Sequence, residues 1–518
     1  MHSKRYSTAM VLAGIFLLIA AAVPAAEGTA VPWEPWSDGP FARAAAEKRF
    51  VLLDVGAEWC HWCHVMDDTT YREADVLRLI RERFVPVRVD ADAQPDLANR
   101  YEDYGWPATV VFDAEGREIV KFRGYIEPER MRSLLAGIVE DPRPGPSAEV
   151  VEADVPDTAP AAPTDALRAE LRTLHASRYD AVHGGWGFVH KYLDADAVEY
   201  SLRRAQDGDA DALRMASDTL RKQARHLIDP VWGGAYQYSD SGVWENPHFE
   251  KIAAVQADNL RAFSLAFAQT KDPAYRAAAD DVLRYLRAFW KSPQGAFYVS
   301  QDADLVPGEH SAGYFALGDA ERRRRGLPRI DTALYTRENG WIVRGLVSYF
   351  EATGDRAALA EAEAAARFVV AERALPGGGF RHDARDPGGP YLGDNVAAAR
   401  AFLDLHRATG DAAWLTRAED TAAFIERTFR APGLAGFVTA RPSHAFDRMR
   451  PQRDENVAAA RFGAALTAAT GRPAGIELAR HALRYLSSPQ VARRFATASV
   501  LLADEDVARA AASRTAAR

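Results

Sequence analysis

The chain contains two cysteines in 518 residues, and both lie in one tetrapeptide, Cys60-His61-Trp62-Cys63. It follows Phe50-Val51-Leu52-Leu53-Asp54-Val55, an apolar run of buried-strand length, by way of Ala57-Glu58-Trp59. The spacing predicts a strand that ends just before Cys60 and a helix that starts with it. At a helix N-terminus, backbone N–H groups and the dipole favour a thiolate over a thiol. A second thiol three residues on can resolve a mixed disulfide formed by the first. Cys60 is therefore expected to be the accessible, acidified, attacking thiol and Cys63 the resolving one. A structural bridge is the alternative, but a Cys-x-x-Cys closes a tiny loop and restrains little chain entropy.

Strand, Cys-x-x-Cys and helix in this order resemble thioredoxin. The likeness extends to Phe84–Asp90, which reads as a second strand, to Gly105-Trp106-Pro107-Ala108 at the head of a third, and to a fourth over 117–122 after the turn Asp113-Ala114-Glu115-Gly116. It implies that Asp54 is a buried proton acceptor for Cys63, the alternative being a hydrogen-bonded core carboxylate. It implies also that Pro107 shapes the substrate groove beside the disulfide. Trp59, His61 and His64 flank the thiols as modulating residues: a nearby imidazolium stabilises a thiolate, while either histidine can also be a partly exposed helix residue.

Cys60-His61-Trp62-Cys63-His64 also satisfies C-x-x-C-H, the c-type haem attachment pattern, and two thiolates with His61 or His64 would suit zinc or copper(I). The strand–helix context argues against both, since haem would require the helix to open. No cofactor and no metal are expected.

The first 26 residues read as a secretory signal: Lys4 and Arg5, an apolar run from Met10 to Val23 broken by Gly14, and small residues for cleavage near Ala25 or Ala26. An uncleaved anchor is the alternative. Either way the folded part is expected outside the cytoplasm, periplasmic or secreted. A net charge of -8 gives no footprint for a nucleic-acid partner, and Arg322-Arg323-Arg324-Arg325 reads as a solvated loop.

Six prolines between Asp141 and Pro163 mark a linker over 141–164, so a first domain is expected over 33–140 and a second over 165–518. The second is rich in Ala, Leu and Arg with helical periodicity. Twelve helices are expected, starting near Asp165, Asp194, Asp211, Glu250, Pro273, Glu338, Asp355, Asp394, Asp411, Arg453, Pro473 and Pro489. Asn339, Asn395 and Asn456 recur near helix starts, and Thr353-Gly354, Thr409-Gly410 and Thr470-Gly471 recur at helix ends. Repeats of about 60 residues, separated by Gly-aromatic turns, suggest six αα-hairpins closing into an (α/α)6 toroid; an open solenoid is the competitor. Asp394 and Glu455 read as helix caps. Trp186, Trp232, Trp244, Tyr236, Tyr238 and Tyr298 either line a sugar-stacking cleft or fill the core.

Trp59-Cys60-His61-Trp62-Cys63-His64-Val65-Met66, with Pro247-His248-Phe249-Glu250-Lys251 and Asp302-Ala303-Asp304, resembles the spermatogenesis-associated thioredoxin-like family. The resemblance implies a multidomain α/β plus all-α chain, a thioredoxin-like fold followed by a six-hairpin toroid. Departures are a short stretch between Asp96 and Gly105, Tyr192-Leu193 in place of Phe-Pro, a C-terminal part that looks truncated after about 475, and the signal segment itself. The expected function is an exported thiol–disulfide oxidoreductase whose partners are protein thiols or disulfides or an upstream reductase. The alternative is a carbohydrate-active or carbohydrate-binding toroid with an accessory thioredoxin-like domain. In that reading His248, Glu250, Asp302 and Asp304 line a pocket at the toroid mouth and take a glycan, two facing carboxylates being the equipment of glycoside hydrolysis.

Overall fold

The computed structural model describes residues 30–148, 154–386, 388–445, 447–494 and 498–516. Residues 1–26, expected from sequence to be a secretory signal, lie outside these residues.

The N-terminal domain is a four-stranded sheet in the order β2-β1-β3-β4, with β1 (Phe50–Gly56), β2 (Phe84–Asp90), β3 (Ala108–Phe112) and β4 (Glu118–Arg123). β1 and β2 are parallel, and β3 runs antiparallel to both β1 and β4. The side-chain period of two divides β1 between two cores. Val51, Leu53 and Val55 pack with Trp36, Phe41 and Trp59, and so against α1 (Asp38–Glu47) and α4 (Pro95–Tyr101). Leu52 faces the other way, onto α2 (His61–Asp68), α3 (Ala74–Arg83) and α5 (Pro128–Glu140), among Met66, Ile80 and Leu135. Both faces being covered, the strand is apolar nearly throughout, which is why it could be read as one run. The segment after α5 is pinned at both ends of its described parts. Gly145 donates to the Ile119 carbonyl at 2.8 Å, and Ala435 of the helical domain donates to that of Val155 at 2.8 Å.

The helical domain begins with α6 (Asp165–Ser177), α7 (Ala195–Gln206), α8 (Ala210–His226), α9 (Ala253–Thr270) and α10 (Pro273–Tyr285). Two short helices follow, α11 (Ala312–Phe315) and α12 (Asp319–Arg325). Next come α13 (Thr336–Thr353), α14 (Arg356–Glu372), α15 (Leu392–Thr409), α16 (Ala412–Phe429), α17 (Arg453–Thr470) and α18 (Pro473–Leu486). Short α19 (Pro489–Ala492) and long α20 (Ala498–Ala516) end the chain. Helices α7, α9, α13, α15, α17 and α20 form an inner ring, each packed on the next, and α20 closes it by packing on both α17 and α7. The outer partners are α8, α10, α14, α16 and α18, with α6 covering α20. The ring is thus closed, and the sixth hairpin joins the two ends of the domain, first helix to last. The helix expected at Pro489 is four residues long; the closing helix starts at Ala498. Its run Ala498-Ser499-Val500-Leu501-Leu502-Ala503 lacks the Asn and the Gly that mark the other repeats, so it was not anticipated from sequence.

The recurring asparagines have a common role. Each is buried four residues into an inner helix and holds both polar groups of one turn residue. Asn339 accepts from Phe297 N–H (2.8 Å) and donates to its carbonyl (3.1 Å). Asn395 does the same to Phe380 (2.9 and 3.1 Å), and Asn456 to Phe437 (2.7 and 2.9 Å). Gln256 of α9 replaces the asparagine and clasps Ala235 at 2.7 Å in both directions. Helix ends follow the sequence: Gly354 and Gly410 sit at φ 78° and 73°, and Asp355 and Asp411 cap the next helix. Arg322 departs from the expected solvated loop. It is fully buried on α12, where it pairs with Asp229 at 2.7 Å and faces the Trp232 ring at 4.9 Å. One arginine of the run points inward because a helix of that length must bury one face.

Candidate functional site

Cys60 is the N-cap of α2 and is joined to Cys63 by a disulfide. The Cys63 N–H donates to Cys60 Sγ at 3.2 Å. The peptide bond before Pro107 is cis, and Pro107 is buried at the head of β3. The expected accessibility is reversed: Cys60 is 4% exposed, while Cys63 is half-buried. The reason is the helical domain, which covers this end of α2.

The covering contacts come from one segment. Asp302 and Asp304 lie in the bend just after the short strand Ser300–Gln301, where the Asp304 N–H donates to Asp302 Oδ1 at 2.9 Å. His61 and His64 are three apart on a helix and share a face. The two pairs mate: His61 Nδ1 lies 2.8 and 2.9 Å from the two oxygens of Asp304, and His64 Nε2 lies 2.9 Å from Asp302 Oδ2. Both aspartates are buried. Burial pulls the His64 pKa down, but the bond and charge of Asp302 more than offset it, and the net shift is upward. Between the aspartates, the Ala303 N–H donates to the Trp59 carbonyl at 3.4 Å.

Glu250 completes the enclosure. Burial raises its carboxyl to about 7, against the opposing pull of the His61 ring and the His61 backbone N–H at the start of α2. Its Oε2 is buried without a hydrogen-bond partner. His248 sits nearby, stacked on Tyr238 with ring centroids 4.2 Å apart and its Nε2 3.5 Å from Asp240; burial lowers its pKa. His61, His64, Glu250, Asp302 and Asp304 therefore meet at the disulfide-bearing helix, with His248 beside them. His248, Glu250, Asp302 and Asp304, expected to line a sugar pocket, do not border the cavity of the helical ring. They lie in β-ribbons and loops ahead of α9 and α11, which fold over the N-terminal domain. Trp186, Trp232, Trp244 and Tyr236 are buried in the core rather than lining a cleft.

Asp54 is held on both oxygens, by the Tyr71 hydroxyl at 3.2 Å and by Arg88 Nε at 2.9 Å. Burial raises its pKa and Arg88 opposes the rise. Among the described residues, Asp54 has these hydrogen bonds and none to either cysteine. Asp394 and Glu455 do not cap their own helices. Asp394 accepts from Arg337 N–H at 2.8 Å and pairs with His382 Nδ1 at 2.9 Å, and Glu455 accepts from Thr439 and Asn99. Gln452 caps the helix that holds Glu455.

His382, not singled out by sequence, extends the interface on the other side of Trp59. Its Nε2 bonds the Asp92 carbonyl at 2.7 Å, and Asp92 Oδ2 accepts the Trp59 indole N–H at 2.7 Å. Asp394 overcomes burial to raise His382 to about 9, and burial beside Asp90 raises Asp92 to about 8. A histidine following a Gly-Gly-Phe-Arg turn carries no motif of its own. Among the described residues, two groups bring three possible ligand atoms within 4.8 Å of one another: His64, Asp302 and Asp304, and Glu338, His382 and Asp394. Each histidine in them is already engaged by a carboxylate.

Residues 22–140 match the family model described as "Protein of unknown function, DUF255", a DsbH-type thioredoxin. Outside that model, human spermatogenesis-associated protein 20 is 29% identical over 311 residues, covering 54% of this chain. The chain spans 39% of that relative's length. The thiol:disulfide interchange protein DsbD of Ralstonia nicotianae is 33% identical over 134 residues, 24% of this chain and 22% of that protein. The helical ring superposes on a sugar epimerase from a ruminal bacterium with TM-score 0.50 at 14% identity, over 62% of this chain and 86% of the epimerase. This chain is a thioredoxin-like domain joined to a six-hairpin toroid. The likeness to the epimerase concerns the toroid fold alone, and the likeness to the interchange protein places the thioredoxin-like domain among thiol–disulfide oxidoreductase relatives. Among the described residues, no helix is long and apolar enough to cross a membrane.

Proposed function

We propose that the chain is an exported thiol–disulfide oxidoreductase in which the toroid completes the redox site. The observation that carries this reading is the disulfide at the N-terminus of α2, enclosed by Glu250, Asp302 and Asp304 of the toroid. In the reducing direction the Cys60 thiolate, only 4% exposed, attacks a partner disulfide that must enter past Trp62 and the half-buried Cys63. One partner sulfur leaves as a thiolate and takes a proton, and a mixed disulfide forms. Cys63 then loses its proton and displaces the second partner sulfur, so the Cys60–Cys63 bond forms and two electrons pass to the partner. A dithiol reductase upstream restores the pair. Glu250, near neutrality at about 7 and set at the helix start, is the group placed to exchange these protons. Asp54, engaged by Arg88, is replaced in that role. Trp62, 39% exposed, and Tyr125 beside it at 5.7 Å offer an apolar surface next to the half-buried Cys63 for the incoming chain.

Reduction of insulin disulfides by the reduced protein tests the reading. Wild type is expected to turn over with a chemical reductant, Cys60→Ser to be inactive, and Cys63→Ser to accumulate a mixed disulfide visible by mass spectrometry. Wild-type protein no faster than the reductant alone refutes it. Export is tested separately by N-terminal sequencing of protein from the periplasmic or culture fraction, where a mature start near Ala26 or Glu27 is expected. The carbohydrate reading has the toroid fold as its support, and the four residues assigned to it do not border the lumen cavity.

A further inference from the structure

The inner helices of the toroid repeat more than their asparagines. Arg261, Arg344, Arg400 and Arg461 each stand five residues after the amide that clasps a turn, at the ninth position of α9, α13, α15 and α17. The ninth position of α7 is Arg203, and that of α20 is Asp506. Helices starting at one mouth of a ring carry equivalent positions to one level, here about 12 Å below the mouth at 1.5 Å per residue. Five of six positions at that level are arginines.

The carboxylates supplied to them are unevenly spread. Glu199 serves Arg203 and Arg261 at 2.8 Å and Arg461 at 2.5 Å, and Asp506 serves Arg203 and Arg461 at 2.6 and 2.9 Å. Arg344 pairs with Asp404 at 3.0 Å. Arg400 has no hydrogen bond or ion pair among the described residues; burial and the charges of Arg344, Arg461 and Arg261 push its pKa well down, and Asp404 opposes them only in part. It is half-buried where it borders the cavity, whose wall also carries carboxylates, Asp194, Asp196 and Asp258 among them. Arg400, Arg344, Arg261 and Arg461 all border a cavity of about 860 Å³ that fills the lumen, a volume in the range of small-molecule sites. Trp341 and Tyr192 form part of its wall, and Asn99 and Glu102 of the thioredoxin-like domain stand at its rim.

We propose that the toroid lumen binds a small phosphorylated sugar, its phosphate seated on Arg400 within the arginine level and its ring against Trp341 and Tyr192. Guanidinium forks match phosphate oxygens in two-point contacts, and aromatic faces take sugar rings. The anion adds the direct charge-assisted contact that Asp404, shared with Arg344, does not give Arg400. This proposal is independent of the redox reading, since none of these residues touches the disulfide.

The test is calorimetric titration of the full chain with glucose 6-phosphate, inorganic phosphate and glucose. Glucose 6-phosphate is expected to bind tighter than phosphate, and glucose not measurably. Arg400→Gln is expected to weaken glucose 6-phosphate by at least about tenfold, the loss of one charge-assisted contact. The same variant is expected to melt no lower than wild type without ligand, because the removed charge was unpaired; Arg400→Lys should retain part of the affinity. Absence of binding of either anion to wild type overturns the proposal whatever the variants do. Equal affinity of Arg400→Gln and wild type overturns it too, and glucose binding as tightly as its phosphate overturns the assigned chemistry.

Discussion

Replacing Glu250 by glutamine separates a buried proton carrier from a structural carboxyl. The side chain is 3% exposed, and its pKa stands at about 7 against an ordinary 4.5. A carboxyl whose pKa is higher in the folded than in the unfolded chain stabilises the fold while protonated. That contribution is complete below pH 4.5 and is lost as pH rises through 7. The difference of about 2.5 units corresponds to at most about 3 kcal/mol. Glutamine keeps shape and polarity and cannot ionise. Urea denaturation of wild type and Glu250→Gln at pH 5 and pH 8 is the assay. Wild type should lose up to about 2.5 kcal/mol more than the variant between the two pH values. Groups common to both proteins that titrate in the same range, such as Asp92, cancel in the difference. The insulin reduction rate should carry a titration near pH 7 in wild type that the variant lacks. A variant equal to wild type at both pH values, or lower by the same amount at both, refutes the argument: the carboxyl would then be ionised throughout or serve packing alone.

Other consequences follow from the burial of charge and of backbone. Asp229 neutralises the fully buried Lys251 (2.9 Å) and Arg322 (2.7 Å), so Asp229→Asn should cost about 3–5 kcal/mol in chemical denaturation, as removal of one partner of a buried pair does. Asn395→Ala leaves the N–H and carbonyl of Phe380 unpaired in the core; a loss of about 2–4 kcal/mol is expected, and a loss below about 1 kcal/mol would show that the clasp is replaceable. His382 has the same pH sign as Glu250 in a higher window: its ion pair with Asp394 stabilises fully below the ordinary pKa of 6.5 and is lost as pH rises through about 9, so Asp394→Asn should flatten the stability profile between those values.

Elements that repeat or that carry a complete local pattern were legible in the sequence. β1, the Cys-x-x-Cys helix, and the Gly–Asp helix junctions are specified by residues adjacent in the chain, so spacing alone finds them. The closing helix was not, because α20 owes its place to contacts with α17 and α7, nearly the whole toroid away in sequence in the second case. The same holds for the site. Asp302-Ala303-Asp304 could be singled out, but its partners are His61 and His64, 238 and more residues earlier, and nothing local distinguishes a carboxylate aimed at a cavity from one aimed at another domain. Arg322 looked solvated in a run of four arginines; only the fold shows Asp229 waiting 93 residues upstream. The arginine level was invisible for a related reason. Each arginine is unremarkable on its own helix, and the pattern exists only when six helices are aligned.

The charges around the disulfide explain why the proton should reside on Glu250. Asp302 and Asp304 are buried, yet each has an imidazole within 2.9 Å, so neither is an unpaired negative charge. Glu250 has no such partner for Oε2; burial raises its pKa, opposed by its own backbone N–H and by the ring and backbone N–H of His61, the first residue of α2. The N–H groups and dipole of that helix start are also what would stabilise a thiolate on Cys60 after reduction. Two anions cannot draw in full on one helix terminus in a medium of low dielectric. Formation of the Cys60 thiolate therefore favours protonated Glu250, and re-formation of the disulfide removes the competitor and lets the carboxyl ionise. A carboxyl poised at about 7 can make that exchange near neutral pH, whereas one at its ordinary 4.5 would stay charged and oppose the thiolate. The toroid thus acts on the disulfide-bearing helix by the desolvation it imposes as much as by the residues it brings.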